Sequence, residues 1–316
     1  MFMNNFQEPA AFAAKHKKED IRAQSRSGGV FTAFSDVVLN QGGVVYGSVL
    51  DDKFTATHIR AESFNDRDRM RGSKYVQSTL GETFKQVKED LIKDRKVLFS
   101  GTSCQIAGLH RFLGEEYKNL LCIDIVCHGV PSPQIWLDYL TWIGKGREIS
   151  SVDFRNKGKF GWAKHIESVY FSNGESSDSS VFKSLFMSNY ILRPACYKCP
   201  YKDIMHPGDI TIADFWGINK AAPDFDDDKG VSLILVNNQK GQVFFEQIQR
   251  QIEYRKVDLN DCIQPALVAP STKPSNREEF WNDVANKDFG YIVKRYVNES
   301  ITKKVMRKIY KLLKNS

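Results

Sequence analysis

The pattern of apolar and polar positions changes at about residue 150. Before it, some stretches repeat apolar residues at helical spacing and others form short continuous apolar runs, which predicts alternating helices and strands. The predicted helices cover 28–39, 82–93, 102–112 and 135–143, and the predicted strands cover 44–50, 55–61, 96–100 and 120–126. This alternation is typical of an α/β fold.

After residue 150 the predicted strands are shorter and loops separate them. They cover 152–155, 165–171, 209–213 and 232–236, and one helix is predicted over 242–252. The predicted fold class is therefore α/β, with α+β character in the second half: a mixed sheet with flanking helices. We expect a cofactor crevice at the carboxyl ends of the strands, because ligands collect there in open α/β sheets.

The composition is that of an ordinary globular protein, with 41% apolar and 26% charged residues among 316. No stretch approaches the roughly 20 apolar residues that a membrane-spanning helix needs. The first twenty residues do not resemble a signal peptide, since no basic segment leads into an apolar one, and the predicted location is the cytoplasm. Six cysteines at irregular spacing in such a protein are expected to be ligands or buried thiols.

The net charge of +7 is concentrated in the last sixteen residues. Residues 301–316 contain six basic residues and no acid, so the rest of the chain is nearly neutral and nucleic-acid binding is not expected. Apolar residues at helical spacing predict a basic amphipathic helix over this segment. It either docks on its own domain or contacts a membrane surface or a partner.

Four cysteines could form one thiolate metal site. Cys196 and Cys199 form a C-x-x-C pair followed by Pro200, and a turn of this kind can direct two sulfur atoms at one ion. Cys104 and Cys127 follow the predicted strands 96–100 and 120–126, so both could face one crevice. The other two cysteines, Cys122 and Cys262, are expected to be buried fillers. The spacing allows zinc or an iron–sulfur cluster.

A second candidate site is the segment 25–31, Ser-Arg-Ser-Gly-Gly-Val-Phe. Two glycines at a predicted helix start let backbone N–H groups approach a phosphate, although the same sequence can be a simple cap and turn. The chain has neither a G-x-G-x-x-G motif after a strand nor a Walker motif, which argues against an ordinary dinucleotide or P-loop site. Residues 214–217, Asp-Phe-Trp-Gly, evoke the kinase D-F-G motif, but no other kinase motif accompanies them.

Six segments, taken in order, resemble the coenzyme F420 hydrogenase/dehydrogenase beta subunit family. The resemblance spans about residues 8–220 and is specific, because several independent motifs agree in order. The segments are Ser-Gly-Gly-Val-Phe at 27–31, Arg-Gly-Ser-Lys-Tyr-Val-Gln-Ser at 71–78, Phe-Ser-Gly-Thr-Ser-Cys-Gln at 99–105, Cys-His-Gly-Val-Pro-Ser-Pro at 127–133, Cys-x-x-Cys at 196–199 and Asp-Phe-Trp-Gly-Ile at 214–218.

The resemblance implies an iron–sulfur flavoprotein oxidoreductase. In that family FAD stands between a 4Fe-4S cluster and a hydride-exchanging small molecule, F420 in the best-known members, and many bacterial members look associated with surface-polysaccharide synthesis. By position, the cluster ligands would be Cys104, Cys127, Cys196 and Cys199. The FAD-binding residues would be Ser27, Gly28, Gly29, Val30, Lys74, Tyr75, Gln77, Ser100 and Thr102. His128 and Asp214 are candidates for proton donors or for residues that support the site. Residues 154–162, including Arg155, Lys157 and Trp162, either line the substrate mouth or form a surface loop.

The sequence departs from the family pattern at two places. Ser103 stands where the family usually has proline before the cysteine, and no cysteine precedes Cys104, so the ferredoxin-like domain of many relatives is missing. Electrons would then come from a separate ferredoxin or electron-transfer subunit. The expected division is a cofactor-binding core over 1–220, an extension of the same domain over 221–300 and the basic helix over 301–316. The oligomeric state does not follow from the sequence.

A non-enzymatic alternative stays open at this point. The protein could be a scaffold in a glycan-assembly complex, with zinc on the four cysteines and the basic tail at a membrane. That alternative predicts zinc, no flavin, and loss of folding with a chelator.

Overall fold

A computed structural model describes residues 6–298, and the predicted helix over 301–316 lies outside this range. Eight strands form one mixed sheet in the order β11-β1-β10-β9-β5-β4-β2-β3, and three form a smaller sheet in the order β6-β7-β8. The strands are β1 (Ala10–His16), β2 (Val44–Leu50), β3 (Ala56–Ala61), β4 (Val97–Thr102), β5 (Leu120–Ile125), β6 (Ile149–Asp153), β7 (Glu167–Phe171), β8 (Ser176–Ser179), β9 (Ile210–Asp214), β10 (Ser232–Val236) and β11 (Ile252–Lys256).

The centre of the large sheet is parallel and its two sides are antiparallel. Strands β2, β4, β5 and β9 run parallel to one another, with Phe99 of β4 opposite Cys122 of β5. Strand β3 is antiparallel to β2 on one side, and β10, β1 and β11 add antiparallel pairs on the other. The predicted mixed α/β sheet is confirmed. The strands formed after residue 221 pair within the same large sheet as those before it.

The helices connect the strands and cover the sheets. The α-helices are α1 (Glu19–Gln24), α2 (Val30–Asn40), α3 (Phe64–Asp68), α4 (Thr83–Ile92), α5 (Ser103–Leu113), α6 (Pro133–Gly144), α7 (Lys157–Phe160), α8 (Val181–Met187), α9 (Ile218–Ala221), α10 (Gln239–Ile248), α11 (Pro265–Val268), α12 (Arg277–Asn286) and α13 (Phe289–Ile292). Short 3₁₀ helices cover Pro194–Lys198, Pro223–Phe225 and Leu259–Cys262, and a π-helix covers Val293–Asn298. No helix among residues 6–298 is long and apolar enough to cross a membrane.

The alternation of side chains along the strands separates two layers of core. Val45 and Leu98 point to the face covered by α2 and α10, whereas Val44 and Val97 point to the face covered by α4 and α5. A third core, rich in aromatic rings, lies between the small sheet and α6, α8 and α12. Trp136 of α6 is stacked on Phe154 there, with ring centroids 4.3 Å apart. The large sheet is thus buried on both faces at its parallel centre, as such sheets require.

The helix predicted over 242–252 is confirmed over 242–248, but both of its bounds were wrong. Helix α10 begins earlier, at Gln239, where the side chain of Asn238 caps it by accepting a hydrogen bond from the N–H of Gly241. It ends at Ile248, and the N–H of Gln251 bonds back to the Ile248 carbonyl. Ile252 therefore begins β11, whose apolar content is too low to predict a strand: only its first residue is buried. Strand β1 was also missed, because its alanine-rich sequence has weak strand propensity.

Candidate active site

The carboxyl ends of three parallel strands supply the centre of the candidate site. Strand β4 leads into Thr102 and Cys104, β5 leads into Cys127, and β9 ends at Asp214. Since β4, β5 and β9 are adjacent and parallel, these residues lie along one edge of the sheet. The fold thus places Thr102, Cys104, Cys127 and Asp214 along the carboxyl edge of the sheet.

The four candidate ligand cysteines come from three segments that meet at this edge. Cys104 lies in the first turn of α5 and is exposed, whereas Cys127, Cys196 and Cys199 are half-buried. Burial raises the pKa of the Cys127 thiol to about 12; Lys202 opposes this shift, and the negative charges of Cys196 and Cys104 add to it. The pKa of Cys196 is raised by burial and by Cys104 and Cys199. Each thiol of the four is therefore close enough to another to affect its ionisation, although no group of three or more ligand side chains in residues 6–298 is arranged to hold a metal ion.

The two remaining cysteines are buried fillers, as predicted. Cys122 is fully buried in β5, in the layer of core under α4 and α5. Cys262 is 2% exposed, and its thiol donates to the carbonyl of Asp258 at 3.2 Å.

A buried polar bridge lies behind the cysteines. His206 Nδ1 is 3.0 Å from Asp124 Oδ2 and 3.2 Å from Ser103 Oγ, and all three residues are buried. The bridge connects the residue before Cys104, the strand that leads to Cys127 and the loop that follows Cys199. Sequence reasoning missed it, although a carboxylate inside the apolar run of β5 is a signal, because a buried charge needs a partner.

The loop after β5 is fixed by close packing around Cys196. Gly129 has φ +149, and a Cβ there would lie 2.9 Å from the Leu192 side chain. The N–H of Val130 donates to Cys196 Sγ at 3.5 Å. His128 Nε2 lies 2.7 Å from Asn189 Oδ1, and its ring packs edge-on against Phe186, so its imidazole is held in place next to Cys127. Burial lowers the pKa of His128.

The predicted phosphate loop begins α2, but some of its polar groups are already paired. Ser27 Oγ donates to the Val231 carbonyl at 2.6 Å, and the N–H of Gly28 donates to Ser232 Oγ at 2.9 Å. A Cβ on Gly28 would lie 2.2 Å from the Ala14 carbonyl oxygen, so this glycine is needed for close packing against the sheet. Gly29 has φ +85 and is the N-cap of α2, where no side chain caps the helix, and Val30 is its first residue. Gly29 and Val30 lie at the start of the helix and are both buried, with His16 and Ser25 packed against Gly29.

Basic side chains surround this end of α2; we call Arg26, Arg71, Lys74, Arg155 and Lys157 the cationic cluster. The pKa of Lys74 is lowered to about 7 by burial and by the charges of Arg26 and Arg69. The pKa of Lys157 is lowered to about 8 by burial and by Arg22 and Arg26. The neighbouring cations therefore add to the effect of burial, although Arg26, Arg71 and Arg155 are themselves paired with Asp153, Asp68 and Asp214. A cavity of about 400 Å³ lies beside Lys157, and its lining also includes the acids Glu19, Asp20 and Asp228.

Residues 71–78 connect the cationic cluster to the cysteines. At one end, Arg71 Nε donates to Thr32 Oγ1 of α2 at 3.1 Å. At the other end, the N–H of Gln77 donates to the Pro131 carbonyl at 3.1 Å, and Ser78 Oγ accepts from Gln105 Nε2 at 3.0 Å. Gln105 also completes a capping box with Thr102 at the start of α5. The segment is therefore attached both to the helix end and to the loops that carry Cys104 and Cys127.

Two other residues predicted to bind the cofactor, Lys74 and Ser100, make hydrogen bonds within the protein. Lys74 Nζ donates to the carbonyls of Arg69 and Arg71, both at 3.0 Å. The carbonyl of Ser100 bonds to His58 Nε2 at 3.1 Å, and burial lowers the pKa of His58 to about 4. The Ser100 carbonyl is thus already hydrogen-bonded to a histidine that is neutral near pH 7.

Asp214 is held by two side chains at the end of β9. Arg155 Nη1 donates to Asp214 Oδ2 at 2.6 Å, and Trp162 Nε1 donates to Oδ1 at 3.0 Å. Trp162 is also stacked on Trp216, with centroids 5.1 Å apart. Burial lowers the pKa of Arg155, but Asp214 and Tyr75 raise it more, so the guanidinium stays charged between them. Of the predicted mouth residues, Arg155 and Trp162 are buried and brace the site.

A buried acid lies behind Tyr75. The ring of Tyr75 packs on His165 with centroids 4.8 Å apart, and His165 Nε2 is 3.8 Å from Glu167 Oε1. Burial raises the pKa of Glu167 to about 8, while burial and the charge of Arg155 lower the pKa of His165 to about 3. Both side chains are therefore neutral near pH 7. No sequence motif marks this pair, since Glu167 lies within an ordinary strand.

Comparison with known proteins agrees with this fold. No curated protein matches the chain. A solved structure of the F420-reducing NiFe hydrogenase complex from Methanosarcina barkeri includes a chain that is similar in fold, with a TM-score of 0.56 and 16% sequence identity; the match covers 79% of this chain and 82% of that chain. The family model for the C terminus of the coenzyme F420 hydrogenase/dehydrogenase beta subunit matches residues 94–261, slightly more than half of the chain. The chain therefore belongs to the coenzyme F420 hydrogenase/dehydrogenase beta subunit family.

Proposed function

We propose that this protein is an oxidoreductase that uses a 4Fe-4S cluster and FAD to exchange electrons with a small organic molecule, F420 or another hydride acceptor. Family membership supports the redox class. The observation that carries the proposal is the attachment of residues 71–78 at both ends, to the start of α2 and to the loops bearing Cys104 and Cys127. FAD bound along residues 71–78 would reach the cysteines that hold the 4Fe-4S cluster.

The cysteines fit a cluster by their chemistry. The four thiols come from three segments and lie near enough for each to affect the ionisation of another, and thiolates are the usual ligands of iron–sulfur clusters. Burial keeps Cys127 and Cys196 protonated near neutral pH, so they would release their protons when iron binds. The Asp124–His206–Ser103 bridge would hold the three segments in register while this happens.

The cationic cluster fits the diphosphate of FAD. A diphosphate carries negative charge, which would offset the burial and the repulsion that lower the pKa values of Lys74 and Lys157. The N-terminal end of α2 would add the backbone N–H groups of Gly29 and Val30, which are buried before the cofactor binds. Ser27 and Gly28 would act through the backbone shape of the turn, because their own donors bond to Val231 and Ser232.

The remaining residues would orient the reacting molecules. FAD, when bound, links one-electron transfer to two-electron transfer. Arg155 holds Tyr75 and Asp214 together, so we assign Asp214 to positioning. Lys74 presents a positive charge that favours an anionic ring system. His128, held by Asn189 beside Cys127, is the candidate proton donor at that end.

The cytoplasmic location, a place in surface-polysaccharide synthesis and a separate electron donor are also part of this proposal. The place in polysaccharide synthesis and the separate electron donor rest on the family resemblance, and the donor also on the similar hydrogenase, which is a multi-subunit complex.

Anaerobic electron transfer tests the proposal. The protein is reconstituted with iron, sulfide and FAD, reduced with methyl viologen that dithionite has reduced beforehand, and mixed with F420 or a flavin acceptor. We expect the acceptor to be reduced by the native protein and not by a Cys199→Ser variant. A protein that retains zinc but takes up neither iron nor FAD would overturn the proposal and favour the scaffold.

A further inference from the structure

Ser103 is the residue at which this chain departs from the family pattern next to a candidate cluster ligand. It replaces the usual proline directly before Cys104 and is the first residue of α5. Proline is favoured at that position, because its ring presets the helical backbone and no N–H is needed there. A serine is thus not required to begin the helix. Its side chain instead reaches inward, where Ser103 Oγ lies 3.2 Å from Nδ1 of the buried His206.

The Asp124–His206–Ser103 bridge is shielded from solvent and contains polar atoms that are not paired. The three residues are 0%, 7% and 4% exposed, in that order. His206 Nδ1 lies 3.0 Å from Asp124 Oδ2, so we assign the hydrogen of the neutral ring to this nitrogen. Within residues 6–298, His206 Nε2 and Asp124 Oδ1 are buried and have no hydrogen-bond partner. The bridge therefore combines a buried acid with an imidazole nitrogen that can accept a proton.

The other titratable groups around the bridge are paired with one another or neutral. Asp209 Oδ2 accepts a hydrogen bond from the N–H of Cys122 at 2.7 Å, and Asp209 Oδ1 lies 3.2 Å from Lys240 Nζ. Burial lowers the pKa of His110 on α5 and raises that of the Cys122 thiol, so both side chains are neutral near pH 7. Among the described residues, Asp124 forms an ion pair with His206 alone. The charge on Asp124 therefore depends on the proton of His206.

Each member of the bridge lies on a segment that carries candidate cluster ligands. Ser103 directly precedes Cys104 at the carboxyl end of β4. Asp124 lies near the end of the neighbouring strand β5, which leads into Cys127. His206 lies in the loop that connects the C-x-x-C pair to β9. Charges in a buried region are weakly screened, so a negative charge gained at the cysteines would increase the proton affinity of the bridge.

We infer that His206 accepts a proton when the cluster held by the four cysteines accepts an electron. This inference rests on the proposed function. A one-electron donor such as reduced viologen loses one electron to the cluster, and one proton from water binds His206 Nε2, so the net charge of the buried region stays the same. Asp124 stabilises the imidazolium through Nδ1–H, and the Ser103 hydroxyl holds the ring, so both are positioning residues. Protons reach the ring through the irregular loop 200–208, in which Asp203 is exposed.

The midpoint potential of the cluster tests the inference. It is followed by electron paramagnetic resonance in anaerobic redox titrations over about pH 6 to 9, which overlaps the range where histidines titrate. One proton coupled to one electron makes reduction less favourable as the pH rises, by up to about tenfold, or about 59 mV, per pH unit. We expect this dependence in the native protein and its loss in His206→Gln, with the iron content unchanged. The matched control, His16→Gln, should keep it, because His16 lies on β1 and is likewise buried, with no partner for Nε2 among residues 6–298.

Two variants of Ser103 test its positioning role. Ser103→Pro introduces the residue that the family usually has, and Ser103→Ala removes only the hydroxyl. Both should bind iron as the native protein does, since proline and alanine suit the first turn of a helix. Both should also weaken the dependence of the midpoint potential on pH. A hydroxyl with a merely structural role would affect the stability of the protein and leave this dependence unchanged.

The outcomes separate this inference from the proposed function. If the reconstituted native protein holds no iron, the proposed function fails and this inference fails with it. A native cluster whose potential is constant over this pH range would refute the inference alone. The native dependence in His206→Gln, or an equal loss in His16→Gln, would do the same. If His206→Gln does not fold, the Ser103 variants decide, and the native dependence in both of them would overturn the role of the bridge.

Discussion

The two ends of the candidate site are built differently. At the cationic cluster, side chains and backbone are already tied by hydrogen bonds to the sheet and to one another, and Gly28 packs against the Ala14 carbonyl. At the cysteine end, the thiols are held by their loops, yet burial keeps Cys127 and Cys196 in the protonated form. The cationic cluster is preorganised to bind an anion. The cysteine end, in contrast, would become a complete site only when a metal displaces the thiol protons.

The largest expected effect is at the cysteine end. Cys199→Ser removes one of four ligands, so the iron content should fall from about four per chain, as expected for one cluster, to near zero. FAD should still bind, because the cationic cluster is untouched. Iron and flavin analysis after reconstitution measures both. Cys262→Ser is the matched control, since its hydroxyl can keep the hydrogen bond to Asp258; full iron in Cys199→Ser would refute the ligand assignment.

The next effect concerns the rigid backbone at the cationic end. Gly28→Ala places a Cβ against the Ala14 carbonyl, which cannot move without breaking the β1–β10 pairing, so unfolding should require about 3 kcal/mol less. Gly108→Ala is the control. A Cβ there meets nothing closer than 3.6 Å, and alanine favours the helix, so stability should stay or rise by up to about 1 kcal/mol. Chemical denaturation compares the two; equal stability would show that this turn is not tightly packed.

A pH effect is expected from the acid behind Tyr75. The pKa of Glu167 is raised from 4.5 to about 8, so the folded state binds a proton that the unfolded state releases. Its contribution to stability is complete below pH 4.5 and is lost as the pH rises through 8. Glu167→Gln should remove this dependence, on the order of 2 kcal/mol between pH 5 and 9. Identical pH profiles for denaturation of both proteins would show that the carboxyl is not buried as a neutral acid.

The smallest expected effect is on FAD affinity. Lys74→Met removes one positive charge from the cationic cluster and should weaken FAD binding about tenfold, or about 1.4 kcal/mol. The pKa of Lys74 is about 7, so its charge is present below pH 7 and lost above it. Native affinity should therefore fall as the pH rises from 6 to 9, and the variant should show less of this fall. Fluorescence titration measures the affinity for FAD. Equal affinity of the native protein and the Lys74→Met variant at pH 6 would show that Lys74 is not part of the flavin site.

The sequence predicted several interior strands of the large sheet well, such as β2 and β10, and the elements around β11 poorly. Strands β2 and β10 were predicted with the bounds that the structure shows, since continuous apolar runs such as Ser232–Val236 mark strands buried on both faces. Strand β11 has one buried residue and α10 begins with polar residues, so the spacing of apolar residues did not mark their boundaries. Edge elements depend on pairing with distant segments, which a local pattern does not encode.

The candidate site divides in a similar way. The cysteines carry their own signal through residue type and position after strands. The Asp124–His206–Ser103 bridge and the His165–Glu167 pair join residues that are far apart in sequence or lack any motif. Arg155 and Trp162 were placed in a basic and aromatic stretch, but only the fold shows that they hold Asp214.

The most direct test of the two-ended site is an anaerobic absorption spectrum of the purified protein, combined with analysis of iron, zinc and released flavin. The account predicts flavin bands above a broad iron–sulfur shoulder, with about four irons per chain. A colourless protein that contains zinc would contradict it.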